Sequence, residues 1–256
     1  MPFTISHTIL APPIAKLTGG RLPIAAVAVG SMTPDLYRLF TAADYDLTHQ
    51  WQGLIFPNLY IALGFCLLWY GLYRSVIFRL IGLDNPLNLI GLDKYIGFFL
   101  RVILAALIGI ASHLIWDGLT HSDFRTFAFK PFLNRPVIFW GQTYPMHRVL
   151  QISSSILALP FLLWMSLYYY FKYKQAQPTS RKIKTYAVLL LLITLCSGAL
   201  SCMHFAQQVQ SEPLATDLYW YIGKSINHFS QAALISFSLG SVLFLFLDRN
   251  YALDES

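Results

Sequence analysis

Charge is scarce in this sequence. Only 12% of its 256 residues are Asp, Glu, Lys or Arg, against about 25% in a typical soluble domain. Hydrophobic residues make up 56% and the mean hydropathy is +0.53. That excludes an ordinary soluble domain and implies one membrane domain, residues 1–256. Cysteine is also rare: Cys66, Cys196 and Cys202 lie in or beside apolar runs, with no CxxC pair. A disulfide framework and a thiolate zinc site are therefore not expected. No internal repeat or low-complexity tract is visible. The opening Met1-Pro2-Phe3-Thr4 has no basic region, so no signal peptide is expected. The net charge of +6 fits loops facing anionic headgroups, and nucleic acid is not an expected partner.

What is abundant is apolar sequence in long runs. Spans are expected at Gly53–Tyr73, Tyr95–Asp117, Val149–Phe171, Tyr186–Phe205 and Asn227–Leu247, each near the roughly 20 residues that cross a bilayer. A short amphipathic helix fits Ser75–Leu83, in the loop after the first span. Before them, two shorter apolar pieces precede Met32. Thr4 or Ser6 can cap the first, Pro12-Pro13 disturb it, and Gly19-Gly20 end it. The expected fold is all-α: a polytopic bundle of about five transmembrane helices plus an N-terminal re-entrant or interfacial hairpin. Gly30–Asp35 should leave the hairpin through a turn, and Leu36–Gln50 should be a polar surface segment. Residues 1–50 would then bear ligands and 51–250 form the bundle.

The densest basic loop, Lys172 to Lys184, is expected in the cytoplasm. Counting spans from it puts Ser122–Pro145 and the Ala206–Ile226 loop, with Glu212 and Asp217, on the outer side. The same count sends all seven histidines to that one face.

The stretch Ser112-His113-Leu114-Ile115-Trp116-Asp117-Gly118-Leu119-Thr120-His121 holds the strongest chemistry. On a helix, His113, Asp117 and His121 stand four apart on one face. Imidazole and carboxylate at that spacing can converge on one ion, and ionisable groups beside a bilayer-length run are costly and usually functional. His121 is a third ligand, a ligand to a second ion, or a cap on the helix end. Asp35 reads as a helix cap or Asx-turn alone, and as a ligand beside His49 and the stripe. His7 and His49 alone would pass for loop histidines. His147 and Arg148 suit headgroups or a substrate phosphate. His204 and His228 suit hydrogen-bonded packing roles. Ser112 and Thr120 suit hydrogen bonds behind the ligands. Gln151 and Ser153–Ser155 suggest that this part of the third span faces protein.

Together, the Pro2-Phe3-Thr4-x-Ser6-His7 start, the Gly30-Ser31-Met32-x-Pro34-Asp35 turn, His49 and Ser112-His113-x-x-x-Asp117-x-x-Thr120-His121 resemble an uncharacterised bacterial membrane-protein family. That family is similar to bacterial membrane-bound metal-dependent hydrolases. A more distant similarity is to zinc-dependent phospholipase C, whose ordered ligands match His7, Asp35, His49, His113 and Asp117. Its later His-x-x-x-Glu has no counterpart here. The resemblance implies one or two metal ions and a bacterial plasma-membrane location; the ligand types favour zinc, and the span count puts the site on the exterior or periplasmic side.

Two functions of different class follow. One is a hydrolase at the outer membrane–water interface, acting on a phosphoester or a lipid-linked small molecule. Asp35, His49, His113 and Asp117 would hold one ion, and His7 with Asp117 or His121 a second. The ion would activate water, with Asp117, His113 and His121 at the reacting centre. Arg38, Arg125, His147 and Arg148 would take the substrate. The other is a b-type haem carrier, with His113 and His204 as axial ligands, or a metal-handling permease.

Overall fold

The computed structural model describes residues 4–41, 45–139, 141–176, 179–209 and 218–254. Pro2, Phe3, Glu212 and Asp217 lie outside the described residues. The architecture is all-α, with five helices long and apolar enough to cross a membrane. By chain contacts it divides into two units, Met1–Cys66 with Pro86–Lys172, and Leu67–Asn85 with Tyr173–Ser256.

The first unit begins with a 3-10 helix at Thr4–Leu10, followed by α1 (Ala11–Leu17) and α2 (Ile24–Leu36). The expected hairpin is present, closed by Gly19 and Gly20 at φ +67° and +73°, values that suit glycine. Three details differ from expectation. Pro12 and Pro13 start α1 instead of disturbing a helix, because the first helical turn has no use for their missing N–H. Thr4 and Ser6 do not cap: their hydroxyls donate to Asp35 Oδ2 at 2.9 Å and to the Ser155 carbonyl at 3.2 Å. And α2 runs through Pro34 to Leu36, so Asp35 sits in its last turn and not after it.

The short helix α3 (Tyr45–Thr48) leads into α4, which runs from Trp51 to Ile81. It is kinked at Phe56, whose φ −116° and ψ 122° are not helical, and passes through a wide turn at Trp69–Tyr73, and the expected break at Arg74 is absent. Its first half belongs to this unit, as do α5 (Leu92–Thr120), the short α6 (Lys130–Leu133), a hairpin of β1 (Pro136–Phe139) with β2 (Gln142–Pro145), and α7 (Met146–Tyr173). The hairpin is antiparallel, with Ile138 opposite Thr143.

The unit's centre is the packing of α2 on α5. A Cβ at Gly30 would lie 2.3 Å from the Ala106 carbonyl oxygen, and one at Gly109 would lie 2.2 Å from that of Val27. Small residues let two backbones come this close. Ala62, Ala106, Ile110 and Leu114 form the apolar core beside this seam. Gln151 and Ser155 are buried, as expected for a protein-facing stripe. Gln151 Nε2 donates to the Thr120 carbonyl at 2.8 Å.

In the second unit, α8 (Arg181–Gln208) packs on α9 (Leu218–Leu247). Ser180 caps α8 by accepting from the Ile183 N–H. Val76, Leu80, Ile183, Leu190 and Phe244 make its core. Arg79 pairs with Asp248 at 2.8 Å and Asp254 at 2.7 Å.

Candidate metal centre

Three short elements and one long helix bring the ligands together. The 3-10 helix carries His7, the last turn of α2 carries Asp35, His49 follows α3, and α5 carries His113 and Asp117, with His121 just past its end. His7, His49, His113, Asp117 and His121 are each no more than 4% exposed. Within Leu36–Gln50, expected as a polar surface segment, residues 42–44 lie outside the described ones, and Thr48 and His49 are buried. Thr48 and His49 turn inward and are tied down by hydrogen bonds from Thr48 Oγ1 to the Pro34 carbonyl and from Asn58 Nδ2 to the Thr48 carbonyl.

Hydrogen bonds on the far side of the rings decide which nitrogen faces the centre. His113 Nδ1 lies 2.8 Å from the Ser31 carbonyl oxygen. A carbonyl only accepts, so Nδ1 carries a proton, and in the neutral ring that leaves Nε2 the lone pair. His49 Nδ1 faces Thr48 Oγ1 at 2.9 Å and the Tyr45 carbonyl at 3.3 Å. Thr48 spends its one proton on carbonyls, so it accepts from His49 Nδ1, and in the neutral ring Nε2 carries the lone pair. His121 Nδ1 lies 3.2 Å from the Asp117 carbonyl.

The inward atoms face one another across 3.4–3.8 Å, long for hydrogen bonds. His49 Nε2 is 3.4 Å from Asp35 Oδ1 and 3.8 Å from Asp117 Oδ2, and His113 Nε2 is 3.5 Å from Asp117 Oδ2. His7 Nε2 is 3.8 Å from Asp117 Oδ1, and His121 comes within 3.5 Å of that oxygen only with Nδ1, the nitrogen that faces the Asp117 carbonyl. Donors bound at about 2.0–2.1 Å to a tetrahedral ion stand about 3.3–3.4 Å apart. Two triads, His7–Asp35–His113 and His49–His113–Asp117, have donor atoms that all lie within 4.8 Å of one another. His121 belongs to neither and stands beside them.

Few protons serve this group of acceptors. Tyr45 OH lies 3.1 Å from Asp35 Oδ1 and 3.0 Å from His49 Nε2. Burial, then the Asp35 charge, raises its phenol, so it keeps its single proton. His113 Nε2, Asp117 Oδ1 and His121 Nε2 are buried without a hydrogen-bond partner. Buried polar atoms are normally satisfied. Orphaned lone pairs beside a carboxylate fit a cation, so the residues present suit a divalent ion. Burial, reinforced by the neighbouring His113, lowers His7 to about 3. Burial lowers His121 to about 4. Both stay neutral, the form that binds metal.

The other sequence candidates are spread around this core. Arg125 reaches it: Nη1 donates to Asp117 Oδ2 at 3.1 Å, and the guanidinium also pairs with Asp123. Arg38 stacks on the outer face of Tyr45 at 3.7 Å. His147 is half-buried and Arg148 exposed at the start of α7. Thr120 Oγ1 lies 3.3 Å from His121 Nδ1, as a supporting residue should. Ser112 does not support the ligands, because its hydroxyl donates to the Gly109 carbonyl of its own helix. In the other unit, His204 contacts Gln208 at 2.9 Å on an exposed face and His228 stacks on Phe205 at 4.6 Å. Sequence reasoning missed Tyr45, although Tyr45-x-x-x-His49 has helical spacing.

The fold is an all-α polytopic bundle with a buried histidine–carboxylate cluster in its first unit. The chain belongs to the family described as domain of unknown function DUF4184, whose pattern matches residues 1–242. No curated protein and no solved structure matches it.

Proposed function

We propose that the protein is an integral-membrane, metal-dependent hydrolase. Its site would open at the outer membrane–water interface, and its substrate would be a phosphoester or a lipid-linked small molecule. The observation that carries this reading is the pair of buried imidazoles, His49 and His113, whose Nδ1 protons are held by backbone carbonyls or Thr48 while their Nε2 atoms face Asp35 and Asp117. Asp35, His49, His113 and Asp117 would hold the first ion, and His7 with Asp117 Oδ1 would offer a place for a second. Two imidazoles with carboxylates favour zinc.

A bound ion supplies Lewis acidity toward a phosphoryl or acyl oxygen and toward water. The chain's own residues do the rest. Ser31, Thr48 and the Tyr45 carbonyl fix the imidazole tautomers, Thr4 donates to Asp35 Oδ2, and the Tyr45 hydroxyl lies between Asp35 Oδ1 and His49 Nε2 with one proton for the two. Arg125 places a guanidinium at the edge of the cluster, where it can exchange part of its Asp117 contact for an anionic oxygen of the substrate. Haem on His113 draws no support from this geometry. Its Nε2 faces Asp117, and His7 stacks on its ring at 3.9 Å.

The test is metal analysis of protein purified in detergent, beside a panel of lipid and soluble phosphoester substrates. Wild type should carry close to one or two zinc ions per chain. Asp117→Asn should lose metal and turnover while keeping its helicity. Full metal occupancy and turnover in Asp117→Asn would overturn the reading.

A further inference from the structure

The segment between α5 and α7 has a surface that the metal centre does not explain. Ile138 is 76% exposed, Phe129 67%, Phe139 57% and Phe127 55%, and the exposed cations Lys130 and Arg135 lie among them. The one acid of this stretch, Asp123, is paired with Arg125. Phe129 takes φ +60°, a left-handed conformation that costs a non-glycine residue about 1–2 kcal/mol, and it does so with its ring turned outward. Strain of this kind persists where function requires it.

The exposure does not come from loose backbone. Leu133 is 1% exposed and anchors α6. Thr126 Oγ1 donates to the His121 carbonyl at 2.6 Å, Ser122 Oγ to Asn134 Oδ1 at 2.6 Å, and the Met146 N–H to the Arg135 carbonyl at 2.9 Å. The Phe127 ring lies over Gly118, where a Cβ would come within 2.1 Å of it. The apolar side chains therefore stand on a braced platform attached to the same helix end that carries Asp117 and His121.

We infer that residues 122–139 and 141–145 form a docking platform for the headgroup layer of the bilayer, with anionic lipid as the partner. Aromatic and aliphatic side chains interleaved with Lys and Arg are the chemistry of the membrane interface, where rings enter the acyl boundary and cations meet phosphates. A second copy of this chain would set Lys130 and Arg135 against like charges, which disfavours it as the occupant. Resting on the hydrolase reading, one further step follows. Arg125 lies within this segment and touches Asp117, so the substrate is an anionic lipid drawn from that layer.

Spin-label depth measurement tests the platform without metal or turnover, so its failure is separate from failure of the hydrolase reading. Single cysteines at Phe129 and Ile138, in a chain with Cys66, Cys196 and Cys202 replaced by alanine, are labelled and placed in liposomes of phosphatidylcholine with or without phosphatidylglycerol. A label at Leu163, exposed on the α7 span, gives the lipid reference. With phosphatidylglycerol present, the two platform labels should be more accessible to oxygen than to a water-soluble nickel chelate, as at Leu163. Lys130→Glu with Arg135→Glu should shift them toward the chelate in those liposomes and leave them unchanged in phosphatidylcholine alone. Dominant chelate access in both liposomes overturns the proposal. Shielding from both reagents assigns the surface to a protein partner and overturns it too. Insensitivity to the charge reversal removes anionic lipid as the partner.

Discussion

His113 Nδ1 donates to the backbone carbonyl of Ser31 across 2.8 Å, although the two residues are 82 positions apart. The bond exists because Gly30 and Gly109 let α2 and α5 approach until backbone meets backbone. The tautomer of the central imidazole is thus set by helix packing. Gly109→Ala would put a methyl group 2.2 Å from the Val27 carbonyl and 2.8 Å from the Ser31 nitrogen. Overpacking of this kind costs about 1–3 kcal/mol. A thermal melt in detergent should show the loss, and zinc content should fall with it. Gly64→Ala, where a Cβ meets nothing within 4 Å, should leave both unchanged or improve stability by up to about 1 kcal/mol.

Tyr45→Phe keeps the ring on which Arg38 stacks and removes only the hydroxyl that Asp35 and His49 share. Loss of such an outer hydrogen bond typically weakens metal binding about 10–100-fold. Competition against a zinc chelator should show this drop with helicity intact. Unchanged affinity would remove Tyr45 from the site.

The pH dependence of the metal-free protein follows from His7 and His121, lowered by burial from 6.5 to about 3 and about 4. Between those values and 6.5 the unfolded chain binds more protons than the folded one, so stability rises with pH across that window. It is complete above about pH 6.5 and lost as pH falls through about 4 for His121 and toward about 3 for His7. Melting in the presence of a chelator should give a lower Tm at pH 5 than at pH 7, and His7→Gln should reduce the difference.

Asp248 and Asp254 share Arg79 but not equally. The Asp248 side chain is 8% exposed and that of Asp254 is 45% exposed. Exposed ion pairs contribute about 0–1 kcal/mol, whereas removing a partner from a buried charged hydrogen bond costs more, about 1–3 kcal/mol. Thermal melts should place Asp254→Asn within about 0.5 kcal/mol of wild type and Asp248→Asn clearly below it.

The bundle was legible because its cause is local. Five runs of apolar residues long enough to cross a bilayer declare themselves by length and scarcity of charge, and all five are helices here. The face shared by His113, Asp117 and His121 was equally legible, since a helix fixes which side chains are neighbours. The sequence could not show that α2 continues through Pro34, because packing against α5 outweighs the signal of a proline. Nor could it show that His49 turns inward, because Thr48 and Asn58 hold it with bonds to residues ten and more positions away. The sequence by itself determined which residues could be ligands. The tertiary structure alone decided which of their atoms face one another, because the tautomer of each ring depends on a carbonyl or hydroxyl that folding brings to its far side.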